Sequence, residues 1–162
     1  MPMAAIAAFW AVSFLFVITP GADWAYAITA GLRHRTVLPA VGGLLAGHLL
    51  ATVVVTAGVA ALVARSSLAL TVLTVAGAVY LVWLGVSMLT RPAVSHASLE
   101  QQPDSSWARQ AVKGLGISGL NPKVFLLFLA LLPQFTVAGA PWPLPAQIVV
   151  LGLVHVASCA VV

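Results

Sequence analysis

Thr19-Pro20-Gly21-Ala22-Asp23 interrupts one long apolar stretch of this chain, and Asn121-Pro122-Lys123 interrupts another. A helix that only anchors a protein in lipid has no use for proline, glycine or a charge in its middle. Proline removes a backbone N–H and clashes with the preceding turn, yet it suits the first position of a new helix. Each stretch therefore reads as a helix that stops and starts again inside a membrane. Broken segments at corresponding places in two halves of an apolar chain mark the solute site of a membrane carrier. Transport is the first expectation.

The rest of the chain agrees with a membrane setting. Of 162 residues, 62% are hydrophobic and 6% are charged, with a mean hydropathy of +1.10. A soluble domain carries about 25% charged residues, and a spanning helix needs about 20 apolar ones. Five candidate spans follow: 4–32 (broken), 36–64, 66–90, 114–133 (broken) and 143–162. Only 91–113 reads as a polar loop. The expected fold class is an all-α membrane protein, a multi-span helical bundle forming one domain over 1–162, with no soluble domain. The last candidate ends at Val161-Val162, still apolar and without an anchoring residue, so the sequence reads as cut within a helix.

The formal net charge of +4 does not point to nucleic acid, because the seven Lys and Arg are scattered and most flank spans. The one cysteine, Cys159, excludes an internal disulfide and reads as a small buried hydrophobe. Ala25-Tyr26-Ala27 has the look of a signal-peptide cleavage motif, but no Lys or Arg precedes the apolar run. A signal peptide needs that positive start, so the segment is expected to remain as a span.

Cytoplasmic loops are enriched in Lys and Arg. Arg33 and Arg35 follow the first span, and Arg91, Arg109 and Lys113 follow the third. The second turn holds only Arg65, and Gln134 to Trp142 holds no Lys or Arg. The N-terminus is therefore expected outside, in a multi-pass protein of the inner membrane. Trp107, Trp142 and Trp10 fit as interfacial anchors. With this orientation the first and fourth spans run in opposite directions. Residues 1–90 then form one three-span unit, 91–113 a cytoplasmic loop, and 114–162 an inverted second unit lacking its sixth span.

Thr19-Pro20 and Asn121-Pro122 both read as N-cap followed by first helical residue. The free N–H groups and positive dipole of each half-helix would suit a substrate carboxylate. Asp23 falls in the first turn after Pro20. It is either a carboxylate held by the helix dipole or a site for a substrate amine or a proton; a charge within a bilayer costs several kcal/mol and tends to be functional. Lys123 opposes the dipole of the helix it opens. It pairs with Asp23, binds a substrate carboxylate, or reaches back to the cytoplasmic surface. The substrate-site candidates are thus Thr19, Pro20, Gly21, Asp23, Asn121, Pro122 and Lys123. Asp23 and His48 are the candidate proton relay. His48 follows Gly43-x-x-x-Gly47, a spacing that lets helices approach closely; it reads first as a hydrogen-bonded packing histidine and second as a cavity-lining proton relay, and His155 is read in the same two ways. Trp24 and Tyr26 shape the pocket or face lipid. The histidines and Asp23 show no metal-ligand spacing, so neither metal nor cofactor is expected.

These residues resemble the LysE/RhtB family of bacterial amino-acid exporters, over nearly the whole chain. The likeness rests on Thr19-Pro20-Gly21-Ala22-Asp23, on Gly42-Gly43 through Gly47-His48, and on Gly77 to Gly85. It continues from Gly114 through Asn121-Pro122-Lys123 and closes with Leu132-Pro133-Gln134-Phe135. The resemblance implies six spans in two inverted three-span units, and export of small amino acids or their derivatives driven by the proton gradient. The family commonly has Pro-Gly-Pro where this chain has Pro20-Gly21-Ala22, which alters local rigidity. The expected partners are a zwitterionic substrate, protons and the lipid bilayer, with a homodimer as a way to supply missing packing surface. Two rival readings stand beside export: a non-transporting membrane subunit or truncated fragment, and a membrane-embedded metalloenzyme using Asp23, His48 and His155.

Overall fold

The computed structural model describes residues 1–90, 106–137 and 139–162, and all regular structure among them is helical. The helices are α1 (Met3–Ile18), α2 (Ala22–Arg33), α3 (Leu38–Arg65), α4 (Ser67–Thr90), α5 (Trp107–Gly119), α6 (Pro122–Leu131) and α7 (Leu144–Val161). A 3₁₀ turn, Leu132–Phe135, extends α6. Most of the expected loop, including Arg91, lies outside the described residues. Its end is helical, because 107–113 form the first turns of α5. Ser106 caps that start by accepting from the Arg109 N–H at 3.4 Å. No proline or glycine follows until Gly114, so polar composition did not stop the helix.

Both expected breaks are present. α1 and α2 meet at 56°, and α5 and the α6 extension at 49°. Leu38–Leu62 and Leu144–Val161 are each long and apolar enough to cross a membrane, and each bent pair adds a span if taken as one, up to four among the described residues. The unbroken 24-residue α4 occupies the third expected span.

The core is narrow and the outer surface apolar, as a lipid-facing bundle requires. In α3 the buried positions Ala40, Leu44, His48, Ala51, Val55 and Val59 recur every three or four residues and make one inward stripe. Between them, Leu49, Leu50, Val53 and Val54 are exposed. Val72, Val75, Val79 and Val82 do the same on α4. A water-soluble protein of this size would not present such continuous apolar faces.

Glycines set the spacing between the two halves. A Cβ at Gly43 would collide with the Ala111 carbonyl, one at Gly47 would stand 2.7 Å from the Gly119 nitrogen, and one at Gly114 would stand 2.6 Å from the Ala40 oxygen. α3 and α5 therefore touch backbone to backbone, the use expected of the Gly43-x-x-x-Gly47 spacing. α7 packs against both α1 and α3. Its buried Gln147 receives the Val137 N–H at 2.9 Å and donates to the Trp142 carbonyl at 2.9 Å, which pins the turn that precedes it.

Candidate functional site

α1 ends in the middle of apolar surroundings, and its last carbonyls lose their helical partners. In lipid each such group must be satisfied within the protein. The Thr19 hydroxyl donates to the Leu15 carbonyl at 2.6 Å, and the Thr19 N–H to the Phe16 carbonyl at 3.3 Å. Trp24 Nε1 donates to the Val17 carbonyl at 2.8 Å. The Thr19 carbonyl receives Lys123 Nζ at 3.3 Å, across from the other break.

Lys123 thereby acquires the reason it lacked in the sequence. Its position at the start of α6 is unfavourable for a cation, but its ammonium is delivered to the C-terminal, negative end of α1. The two breaks meet. Lys123 and Asp23, one of the expected pairings, face the same cavity without a direct salt bridge; Asp23 Oδ2 lies 3.5 Å from His48 Nε2 instead. Asp23 sits in the first turn of α2, where the dipole favours a carboxylate, and its Oδ1 is buried without a hydrogen-bond partner.

The two half-helices begin differently from each other. Asn121 caps α6 as expected, its Oδ1 accepting the Lys123 N–H at 3.0 Å with Pro122 at the first helical position. Thr19 and Pro20 do not play those parts in α2. Thr19 closes α1, α2 starts at Ala22, and its N-cap is Gly21 in an extended conformation with no side-chain cap. The reason lies in Thr19 itself, whose hydroxyl turns back to the preceding turn and is not available to the next helix.

A cavity of about 530 Å³ opens where the breaks meet. Of the residues expected at the site, Thr19, Gly21, Asp23, His48, Asn121 and Lys123 line it. Pro20 and Pro122 do not line it; they shape the breaks. Trp24 reaches the wall. Tyr26 points elsewhere, donating to the Gln110 carbonyl at 2.7 Å beneath the Lys113 ammonium, and so ties α2 to α5.

His155 and Cys159 also line the cavity. The sequence reading made Cys159 a plain hydrophobe and saw no metal-ligand spacing. In the fold, ligand atoms of His48, His155 and Cys159 lie within 4.8 Å of one another. His48 and His155 are 4% and 3% exposed, with ring centres 5.2 Å apart. Phe128 packs edge-on against His155 at 5.0 Å. Ser13, wholly buried on α1, is 2.7 Å from His155 Nδ1. The signal available in the sequence was His155-x-x-x-Cys159, one helical turn apart on one face. For Ser13 the only signal is a hydroxyl among apolar neighbours.

The sequence matches the LysE type translocator family over residues 14–162. The chain belongs to that family. Among LysE relatives, an uncharacterised membrane protein of Vibrio cholerae serotype O1 is 36% identical, covering 91% of this chain and 72% of its own length. A homoserine/homoserine lactone efflux protein of Salmonella typhimurium is 31% identical over 87% of this chain and 68% of its own. A leucine efflux protein of Enterobacter is 29% identical, covering 76% and 59%. No solved structure matches. Membership settles the class as a membrane translocator.

Proposed function

We propose that this LysE-type translocator exports amino acids or similar small zwitterions across the bacterial inner membrane in exchange for protons. The carrying observation is that Lys123 from one break reaches the Thr19 carbonyl of the other, beside a cavity that also holds the Asp23 carboxylate. An ammonium and a carboxylate on one cavity wall complement the two charges of a free amino acid. The names of the efflux relatives support the same substrate class.

Substrate enters from the cytoplasm. Its carboxylate takes the Lys123 ammonium, aided by the positive N-terminal end of α6. Its amine takes Asp23, whose Oδ1 has hydrogen-bonding capacity to spare. A proton arriving from outside competes for Asp23, with His48 Nε2 at 3.5 Å as its neighbour in the relay. One carboxylate that holds either proton or substrate couples the two flows. Alternating access then requires two units that move against each other. The packing supports two related units: α5 packs on α3 and α1 packs on α7, and α3 and α7 pack together. An N-terminus outside follows from the positive residues that flank the spans.

Counterflow in proteoliposomes tests this. Vesicles preloaded with unlabelled amino acid should take up labelled homoserine, leucine, threonine or lysine saturably, with a response to an imposed pH gradient. Asp23→Asn should insert normally and lose the gradient response along with most of the flux. Full, gradient-sensitive flux in Asp23→Asn would sink the coupling role.

A further inference from the structure

We propose that His48, His155 and Cys159, with Asp23 as a fourth ligand, bind a borderline-soft divalent cation of the zinc class, and that this ion closes the translocation cavity. The second half rests on the export reading; the first does not.

The two imidazoles are held as ligands are held. His48 Nδ1 lies 3.0 Å from the Leu44 carbonyl oxygen. A carbonyl can only accept, so Nδ1 carries a proton, and in the neutral ring Nε2 presents a lone pair. That lone pair faces Asp23 Oδ2 at 3.5 Å. His155 uses Nδ1 on the Ser13 hydroxyl at 2.7 Å and turns Nε2 to Cys159 Sγ at 3.5 Å. In both rings one nitrogen is tied to an orienting group and the other faces a further potential donor, Asp23 for His48 and Cys159 for His155, with His48, His155 and Cys159 mutually within 4.8 Å. Histidine ligands of metals are fixed in this way.

Electrostatics point in the same direction. With neutral histidines, an imidazole lone pair and a carboxylate face one another, and Asp23 Oδ1 is buried without a partner. A cation between them removes the repulsion and satisfies the carboxylate. A proton on His48 relieves that pair alone and leaves the thiol beside His155 unused. A divalent ion engages all of the donors at once. On binding, the Cys159 S–H bond breaks, the sulfur–metal bond forms, and the proton leaves to water. The thiolate and the carboxylate then balance the two positive charges of the ion. A set of two imidazoles, one thiolate and one carboxylate suits zinc or the more thiophilic cadmium, and not magnesium or calcium, which take oxygen ligands.

The distances require a modest contraction. Zinc bonds of about 2.0–2.3 Å in a tetrahedron place donors about 3.3–3.7 Å apart, against the 4.8 Å limit of the present cluster. Asp23 stands outside that cluster, 3.5 Å from His48 Nε2, and has to move further than the other three to become a ligand. It and Cys159 are less buried than the histidines and are the residues able to move. Lys123 lines the same cavity and opposes the ion by its charge. An ion held here occupies Asp23, the carboxylate that the export reading assigns to the substrate amine.

Cadmium titration of the purified chain in lipid nanodiscs is the test. Cys159 is the only cysteine of the sequence, so a thiolate-to-cadmium absorption band reports this residue alone. A band that saturates at one equivalent, vanishes in Cys159→Ser and needs at least about tenfold more cadmium in His155→Gln and in Ser13→Ala is expected. Lys123→Met should tighten binding. A band without saturation, or one indifferent to His155→Gln and His48→Gln in folded protein, overturns the site as mere thiol capture. Zinc should then inhibit counterflow, scored as a fraction of each variant's own flux, with an apparent affinity about tenfold weaker in Cys159→Ser. Binding without inhibition overturns the closure. Absence of counterflow with every solute is a failure of the export reading, and the titration still decides the ion site.

Discussion

The two breaks do the same job by different means. At the second, everything is local: Asn121 caps, Pro122 occupies the first helical position, and α6 begins within three residues of sequence. At the first, almost nothing is local beyond the Thr19 turn. α2 starts without a side-chain cap, and the end of α1 is completed by Trp24 from the next helix and by Lys123 from the other half of the chain. The second break could form alone; the first is finished only when the halves have met. The dependence places the less self-sufficient break beside Asp23, the residue at which the export proposal exchanges proton and substrate. Elements that move are drawn from the less stable parts of a fold.

Removing the shared residue is the most damaging way to probe this difference. Lys123→Met takes a charge from the proposed carboxylate site and strips the Thr19 carbonyl of its partner. Hydrogen bonds to a charged group are worth about 1.5–3 kcal/mol, or about tenfold to more than a hundredfold in apparent substrate affinity. Counterflow as a function of substrate concentration reads it. Unchanged affinity in inserted protein would assign Lys123 to structure alone.

Trp24→Phe and Asn121→Ala separate the two breaks. Trp24→Phe leaves the Val17 carbonyl buried and unpaired, at about 1–3 kcal/mol. Asn121→Ala removes one cap, at about 1 kcal/mol. Denaturation in mild detergent should rank them in that order. Combined with Lys123→Met, Trp24→Phe should be non-additive, because both act on the end of α1, and neighbouring changes that share a structure couple. Asn121→Ala is expected to couple more weakly to Trp24→Phe. Equal coupling would erase the distinction between a local and a non-local break.

Much of this was legible in the sequence, for identifiable reasons. Composition announced the membrane, and proline, glycine and the charges announced both breaks, because those residues have few other uses in lipid. Gly43 and Gly47 announced a close approach, although not that α5 would be the partner. Local chemistry was read correctly where it decided the outcome, as at Asn121 and Pro122. It was misread at Thr19, where two helices competed for one hydroxyl and the preceding one won. The helical start of α5 was missed because a polar stretch at a membrane surface can extend a span as readily as end it. Asp23 and His48 were named together from their chemistry, and His155-x-x-x-Cys159 puts those two on one face, but the meeting of Asp23 with His48 and of His48 with the α7 pair could not be read. Those meetings depend on how α2, α3 and α7 pack, and no spacing along one helix encodes that.

The smallest effect concerns Ala22. α2 begins there, at the position where a fixed φ is already suited to the helix and the N–H has no helical partner. The resemblance to the family also makes a second proline the residue expected at this place. Gly21 before it is extended, as a residue preceding proline must be. Ala22→Pro should therefore fit without strain and restrict the unfolded chain, stabilising the protein by about 0.4–1 kcal/mol. It would give the first break some of the local definition that Pro122 gives the second. A rise in detergent stability with slower counterflow is the expected pair of results, since stiffening the break that depends on the other half should slow its change of state. Destabilisation would mean that α2 does not start where Pro can enter it, and the contrast between the breaks would need to be redrawn from Pro20.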